Sequence, residues 1–290
     1  MDLGGSEFSY RVSDGVKLSG RDYGPRNSKH HPVVCLPGLT RNVRDFDALA
    51  RYLSSRDNDP RRVVAFDYRG RGKSDHAAAT TYTPQTEAND VLAGMSARGI
   101  YEADFIGTSR GGLLCMAIGA IRPGVLHNVV LNDIGPVIHV SYLAAIKDYV
   151  AGNATPQSWE VAAQGLKALF SKTFTAMNSD DWVRVARQLY DENNGRPALA
   201  FDTALANGLQ AVSEATPPIA VWPQFATLAD VPVLALRGAN SPLLDRETFH
   251  AMGRSHRDLE MYTVPDQGHA PLLWDAETQF RIERFLDCRA

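Results

Sequence analysis

The sequence predicts a doubly wound α/β protein, and three observations carry the prediction. Short runs of β-branched and apolar residues recur along the chain with helical patterns between them. Most of these runs are apolar throughout rather than alternating with polar residues, as expected of strands buried on both faces of a parallel sheet. One stretch, 134–229, interrupts the alternation and reads as helices alone.

Taken in order, β-prone residues at 8–12 and 16–23 flank Ser13-Asp14-Gly15, and an Asp-Gly pair in that setting signals an antiparallel hairpin. A polar stretch at 25–30 leads into Pro32-Val33-Val34-Cys35-Leu36, a buried strand stopped by Pro37-Gly38. Asn42 is placed to cap a helix whose apolar positions Phe46, Leu49, Ala50 and Leu53 recur at helical spacing. Residues 62–66 form the next strand. Thr83-Pro84 then opens a helix as N-cap and first residue, continuing through Ala88, Val91, Leu92 and Met95. The strand at 101–106 runs into Ser109 and a small, apolar helix over 111–121. Further strands follow at 129–131, 231–236 and 259–264. In such a sheet, ligands are expected at the carboxyl ends of the strands.

Helices at 142–151, 159–170, 180–192 and 201–209 fill the interruption. No Gly/Ser linker stands at either end, so the stretch is expected to pack over the sheet as a cap rather than stand apart. That divides the chain into core 1–133, cap 134–229 and core 230–290. No internal repeat or low-complexity segment is present.

Of the 290 residues, 44% are hydrophobic and 22% charged, an ordinary globular composition that excludes a disordered chain. Thirty Lys and Arg against 33 Asp and Glu give a net charge of -3, which excludes a nucleic-acid binder working through overall positive charge. Cys35, Cys115 and Cys288 are too few and too scattered for a disulfide framework or a zinc-binding cluster, so reduced intracellular thiols are expected. Residues 1–10 lack the apolar core of a secretory signal, and nowhere is there the run of about eighteen apolar residues that a membrane helix needs. The expectation is a cytoplasmic protein acting on a small molecule, with neither nucleic acid nor membrane as partner. The oligomeric state is left open.

Gly107-Thr108-Ser109-Arg110-Gly111 matches G-x-S-x-G and stands between a predicted strand and a predicted helix. A sharp turn there lifts the serine oxygen clear of the backbone, and flanking glycines let neighbouring chain pass closely, so Ser109 is the candidate nucleophile. A hydroxyl needs a base, and of eight histidines only His269 follows the last strand, in Asp266-Gln267-Gly268-His269-Ala270-Pro271. His30 and His31 precede a strand, His76 lies in a polar loop, His127 begins a strand and His139 opens the helical stretch. His250 and His256 read as surface positions. The third member of a triad is a carboxylate that orients the imidazole. Two compete: Asp133, at the carboxyl end of the strand at 129–131, and Asp245, beyond the strand at 231–236. Placement favours Asp133, because Asp245 precedes Arg246-Glu247-Thr248 as a helix N-cap would. Backbone donors for an oxyanion are expected from the amides of Arg110 and Leu39.

With these residues in hand, the chain resembles the α/β-hydrolase superfamily over nearly its whole length. Besides the serine turn, Asp67-Tyr68-Arg69-Gly70-Arg71-Gly72-Lys73-Ser74 is similar to the D-x-R-G-x-G-x-S loop of that superfamily, and Gly268-His269 to its histidine loop. The resemblance implies an eight-stranded, mostly parallel sheet flanked by helices, a helical cap inserted after the sixth strand, and a Ser/acid/His triad carried by Ser109 and His269. Two departures stand out: many members have His-Gly where this chain has Pro37-Gly38, and Gly238-Ala239-Asn240-Ser241-Pro242 lacks the carboxylate usual after that strand. In the dehalogenase branch the acid stands at the position of Asp133. A serine nucleophile argues against dehalogenase and epoxide-hydrolase chemistry.

The expected activity is hydrolysis of a carboxylic ester or lactone through an acyl-enzyme, with no metal or organic cofactor. The alternatives are carbon-carbon bond hydrolysis of aromatic ring-cleavage products by the same residues, and a non-catalytic ligand receptor on the same fold. Arg41, Arg44 and Arg110 cluster near the expected mouth. Arg41 is the candidate for binding a substrate carboxylate, against the alternative of an internal salt bridge with Asp45 or Asp47. Cys115 reads as a buried core thiol, and Trp159, Trp182 and Trp222 as packing in or beside the cap.

Overall fold

The computed structural model describes residues 4–57, 59–151 and 155–288. The first three residues of the stretch read for a secretory signal lie outside them. In chain order the elements are β1 (Ser6–Arg11), β2 (Lys17–Tyr23), β3 (Val33–Leu36), α1 (Asp47–Ser54), β4 (Val63–Asp67), α2 (Pro84–Ala97), β5 (Ala103–Thr108), α3 (Arg110–Ile121) and β6 (Leu126–Asn132). The stretch 134–229 contributes β7 (Val137–Ile138), α4 (Lys147–Val150), α5 (Trp159–Phe170), α6 (Ser179–Leu189), β8 (Tyr190–Asn193), β9 (Arg196–Leu199), β10 (Ile219–Ala220) and α7 (Trp222–Phe225). The chain closes with β11 (Val233–Gly238), α8 (Arg246–Ser255), β12 (Leu259–Val264) and α9 (Ala276–Asp287).

Eight strands form one sheet in the order β1-β2-β4-β3-β5-β6-β11-β12. Only β2 runs against its neighbours; every pair from β4 to β12 is parallel. This is the eight-stranded, mostly parallel sheet flanked by helices that the resemblance implies. The hairpin between β1 and β2 closes over Asp14-Gly15, where Gly15 adopts a φ of 86° and its amide donates to the Val12 carbonyl at 2.9 Å.

All four residues of β3 are buried, and alternate side chains serve opposite faces. Val34 and Leu36 join a cluster with Ala88, Val91, Leu114 and Met252, so α2, α3 and α8 cover one face. Val33 and Cys35 join Phe46, Leu49, Leu53, Ile282 and Phe285, so α1 and α9 cover the other. The continuous apolar runs of the sequence are the imprint of this two-sided burial. Cys115 lies in the first cluster, where burial pushes its thiol pKa up.

Several expectations are corrected. Asn42 caps a 3-10 turn, Val43–Phe46, before α1 begins. The predicted helices at 142–151 and 201–209 are largely 3-10, over Val140–Ile146 and Thr203–Leu209. The helix expected to reach 192 stops at Leu189, because β8 and β9 form a hairpin around Asn194-Gly195 with φ of 50° and 76°. An Asn-Gly pair favours that turn, since both central residues need positive φ. The stretch 134–229 is therefore not wholly helical, and β7 pairs with β10 to join its two ends. His256 is buried rather than superficial, its Nε2 lying 2.8 Å from the Leu228 carbonyl. Helix α9 goes beyond the sequence reading; Asp275 caps it by accepting from the Thr278 amide at 2.8 Å. No helix among the described residues is long and apolar enough to cross a membrane.

Helix α9 supplies a fold test. Ile282 is fully buried under the sheet whereas Phe280 on the same helix is 49% exposed. Ile282→Ala is expected to lower the unfolding free energy by about 2–5 kcal/mol and Phe280→Ala by less than about 0.5 kcal/mol, both read by urea denaturation. Equal effects would contradict the packing of α9.

Candidate active site

Strand β5 ends at Thr108 and α3 begins at Arg110, so Ser109 alone makes the connection. Its φ of 52° is unusual for a residue with a side chain, a conformation that costs on the order of 1–3 kcal/mol. Its amide donates to the Asn132 carbonyl on β6 at 2.9 Å, which anchors the turn. The glycines are required by space: a Cβ on Gly111 would sit 2.0 Å from the Leu36 carbonyl oxygen, and one on Gly107 2.5 Å from the Gly111 carbonyl carbon.

The serine oxygen points at His269, with Oγ 2.8 Å from Nε2. On the far side of the ring, Nδ1 lies 2.8 Å from Asp133 Oδ2. Asp133 follows β6 and is 0% exposed. It accepts from the Gly238 amide at 2.8 Å and from the Ser241 hydroxyl at 2.6 Å. The loop after β11, which lacks a carboxylate, thus holds the carboxylate supplied by β6. Asp245 is occupied elsewhere, capping α8 through the Thr248 amide and pairing with His139. The Tyr142 ring meets His269 edge-on with centroids 5.9 Å apart. Burial, with Asp133 nearby, pushes its hydroxyl pKa up to about 12, so it stays protonated.

Two backbone amides remain beside Ser109. A Cβ on Gly38 would lie 3.9 Å from that of Ser109, which brings the loop after β3 against the serine. The Leu39 carbonyl accepts from Arg71 Nε at 2.9 Å, and the Pro37 carbonyl accepts from the Tyr68 hydroxyl at 3.0 Å. The Leu39 amide has no acceptor among the described residues, nor does the Arg110 amide at the first turn of α3. Glu87 of α2, 0% exposed, ties the two loops together. One of its oxygens takes Arg71 Nη1 at 2.8 Å and the other takes Arg110 Nε at 2.6 Å.

Ser109 and His269 open onto a cavity of about 140 Å³. Its far wall comes from 134–229, through Tyr142, Leu143, Ile146, Tyr149, Phe170, Phe174, Met177, Trp182, Val185, Gln188 and Leu189. Arg41 lines it too, but both guanidinium donors Nε and Nη2 are held at 2.7 Å by the two oxygens of Asp45. Arg44 reaches the Gln188 carbonyl at 2.8 Å and Asp191, and Arg110 is held by Glu87. All three arginines near the mouth therefore have internal partners. Trp182 lines the cavity; Trp159 packs between α5 and α6 under the Arg187 guanidinium, and Trp222 packs against the sheet cluster. Of the two carboxylates weighed as internal partners of Arg41, Asp45 is the one that takes it, at the i, i+4 spacing of opposite charges. The sequence reading missed Ser241 and Glu87, which carry no motif of their own.

Residues 33–280 match the model of the alpha/beta hydrolase family. The chain is 30% identical over 253 residues to the 3-hydroxybutyrate-oligomer hydrolase of Cupriavidus necator, with 84% of each chain covered. It is 25% identical over 281 residues to an sn-1-specific diacylglycerol lipase of Danio rerio, covering 93% of this chain and 81% of that one. An alpha/beta hydrolase structure from Novosphingobium aromaticivorans superposes with a TM-score of 0.90 at 35% identity, covering 100% of both chains.

The Glu87 bridge generates a prediction of its own. Glu87→Gln leaves the buried Arg71 and the half-buried Arg110 without their counter-charge, and is expected to lower the unfolding free energy by about 3–5 kcal/mol, measured by denaturant unfolding. A loss within about 0.5 kcal/mol would mean that the two guanidinium groups do not depend on this carboxylate.

Proposed function

The chain belongs to the alpha/beta hydrolase family, and from that premise we propose that it is a serine hydrolase cleaving carboxylic esters of small molecules with apolar acyl groups. The observation that carries this reading is the continuous line from Ser109 Oγ to His269 Nε2 and from His269 Nδ1 to Asp133 Oδ2, each 2.8 Å long. Ser109 attacks the ester carbonyl while His269 takes its proton at Nε2. Asp133 holds the ring with Nδ1 protonated and stabilises the imidazolium that forms. The Leu39 and Arg110 amides receive the negative charge on the carbonyl oxygen as the tetrahedral intermediate develops. His269 then returns the proton to the leaving alcohol, and a water activated by the same base releases the acid from Ser109.

In this reading residues 134–229 act as a cap over a core made of 1–133 and 230–290, since the wall facing Ser109 is drawn from that stretch. The cap determines what enters. Its lining is aliphatic and aromatic, and the charge of Arg41 is already neutralised by Asp45. A substrate carboxylate would have to displace Asp45 to gain a partner, so a neutral acyl chain fits better than an acidic one. Oligomers of 3-hydroxybutyrate and diacylglycerols, named for two relatives, are both esters, which supports ester over carbon-carbon bond cleavage.

The test is steady-state hydrolysis of aryl esters. Ser109→Ala is expected to abolish turnover with an unchanged thermal melt. Asp133→Asn is expected to lower kcat by about 10⁴-fold, and Asp245→Asn to leave it essentially unchanged; the reverse order would move the acid role to Asp245. Along an acyl series from acetate to hexanoate, kcat/KM is expected to rise on the order of two- to fourfold per methylene. An aryl hemisuccinate preferred over the butyrate would instead assign Arg41 to substrate binding.

A further inference from the structure

We propose that His31, Glu102 and His127 form a binding site for a divalent transition-metal ion, with zinc as the representative, at the end of the sheet opposite Ser109. The juxtaposition follows from strand register. Val33 of β3 pairs with Asp104 of β5, and Ala103 of β5 pairs with Leu126 of β6. The residues just before or at the start of three neighbouring strands therefore meet, although they are spread over 31–127 in sequence. One ligand atom from each of His31, Glu102 and His127 lies within 4.8 Å of the other two. The two imidazoles are stacked with centroids 4.0 Å apart and planes 27° from parallel.

Three features suit a metal. Two imidazoles and one carboxylate are a donor set for zinc, which binds them at about 2.0–2.2 Å. The nitrogen lone pairs lie in the ring planes, so coordination requires the stacked rings to turn until both face one ion, and the exposed Glu102 is placed to join them. Behind the first ring stands a carboxylate: Asp104 Oδ1 lies 2.9 Å from His127 Nδ1, which leaves Nε2 as the coordinating nitrogen. A carboxylate behind a ligating histidine fixes the ring and raises its basicity. Asp104 is itself buried, 1% exposed, accepting from Arg61 Nη1 at 3.1 Å and Asn128 Nδ2 at 2.8 Å.

The site lies at the amino end of β5 and Ser109 at its carboxyl end, about 20 Å away along six residues of strand. A metal here acts on the fold, clamping the starts of β3, β5 and β6, and takes no part in ester chemistry. The proposal alters the expectation of no metal, which rested on the scattered cysteines and on spacing along the chain.

The experiment is titration of the full chain with zinc chloride at pH 7.5, read by isothermal calorimetry and thermal melting. The wild type is expected to bind one equivalent saturably and to melt several degrees higher at saturation. His31→Ala and Glu102→Gln, both at accessible positions, are expected to weaken that binding at least tenfold while melting normally without zinc. Ser109→Ala should bind as the wild type does. Absence of saturable binding in the wild type would overturn the proposal, as would undiminished binding in both variants, which would place the ion at another histidine-carboxylate pair such as His139 and Asp245 or His30 and Asp59.

Discussion

The carboxyl edge of the sheet is organised around one buried carboxylate. Glu87 has no exposed surface, yet it sits between two guanidinium groups and gives one oxygen to each. Burial of so many charges is tolerable only when each finds a partner of good geometry. Here the partners are Arg71, on the loop after β4, and Arg110, directly after Ser109. Arg71 passes the constraint to the loop after β3 through the Leu39 carbonyl, and Arg110 passes it to the first turn of α3. Helix α2, which shares no contact with the serine in the hydrogen-bond network, thus fixes the relative position of the two amides beside it. Arg71 also lies over the rings of Tyr68 and Tyr82, with its Cζ 5.6 and 5.3 Å from their centroids.

The same loop explains why its sequence is so rich in charge. Asp67 accepts from the amides of Val43 and Lys73 and from the Ser19 hydroxyl, and Arg69 is gripped by both oxygens of Asp90. The D-x-R-G-x-G-x-S pattern is in this fold a distribution of buried charges, each assigned to a neighbouring element. A comparable division holds at Asp133, where the acid and its supports come from different strands. The Ser241 hydroxyl accepts from the amides of Leu243 and Leu244 while donating to Asp133. A serine that completes a loop and orients an acid can stand where many relatives of this fold carry the acid itself.

The strands and the serine turn were legible because each rests on local chemistry, and Asp133 and His269 could be picked out because each follows a readable strand. A buried parallel strand must be apolar throughout, and Gly107 and Gly111 must be small where the chain passes within van der Waals reach of itself. What stayed hidden depends on contacts distant in sequence. Nothing around His31 announces His127, because their meeting is set by the pairing of β3, β5 and β6. Helix α9 was obscured by Phe280, an apolar residue on its exposed side, although Ile282, Phe285 and Leu286 keep the helical spacing. The hairpin of β8 and β9 carried a readable Asn-Gly signal that the surrounding helical pattern outweighed.

The stretch 134–229 is attached to the sheet by interactions that leave its cavity wall free to vary. Its ends are joined by β7 and β10, and the Gln188 carbonyl receives both Asn42 Nδ2 at 3.1 Å and Arg44 Nε at 2.8 Å. These anchors are backbone pairings and a backbone carbonyl, so they do not depend on which apolar side chains face Ser109. Ser109 and Asp133, by contrast, directly follow β5 and β6, with His269 on the loop after β12, and their positions are fixed by the sheet and by buried charges. Substitutions among Phe170, Phe174, Met177 and Val185 would reshape the cavity beside Ser109 without touching either set of anchors. In the proposed hydrolase, chemistry beside the strand ends and recognition on a separately tethered wall can therefore change independently, and substrate choice would lie in the part of the sequence with the weakest periodic signal.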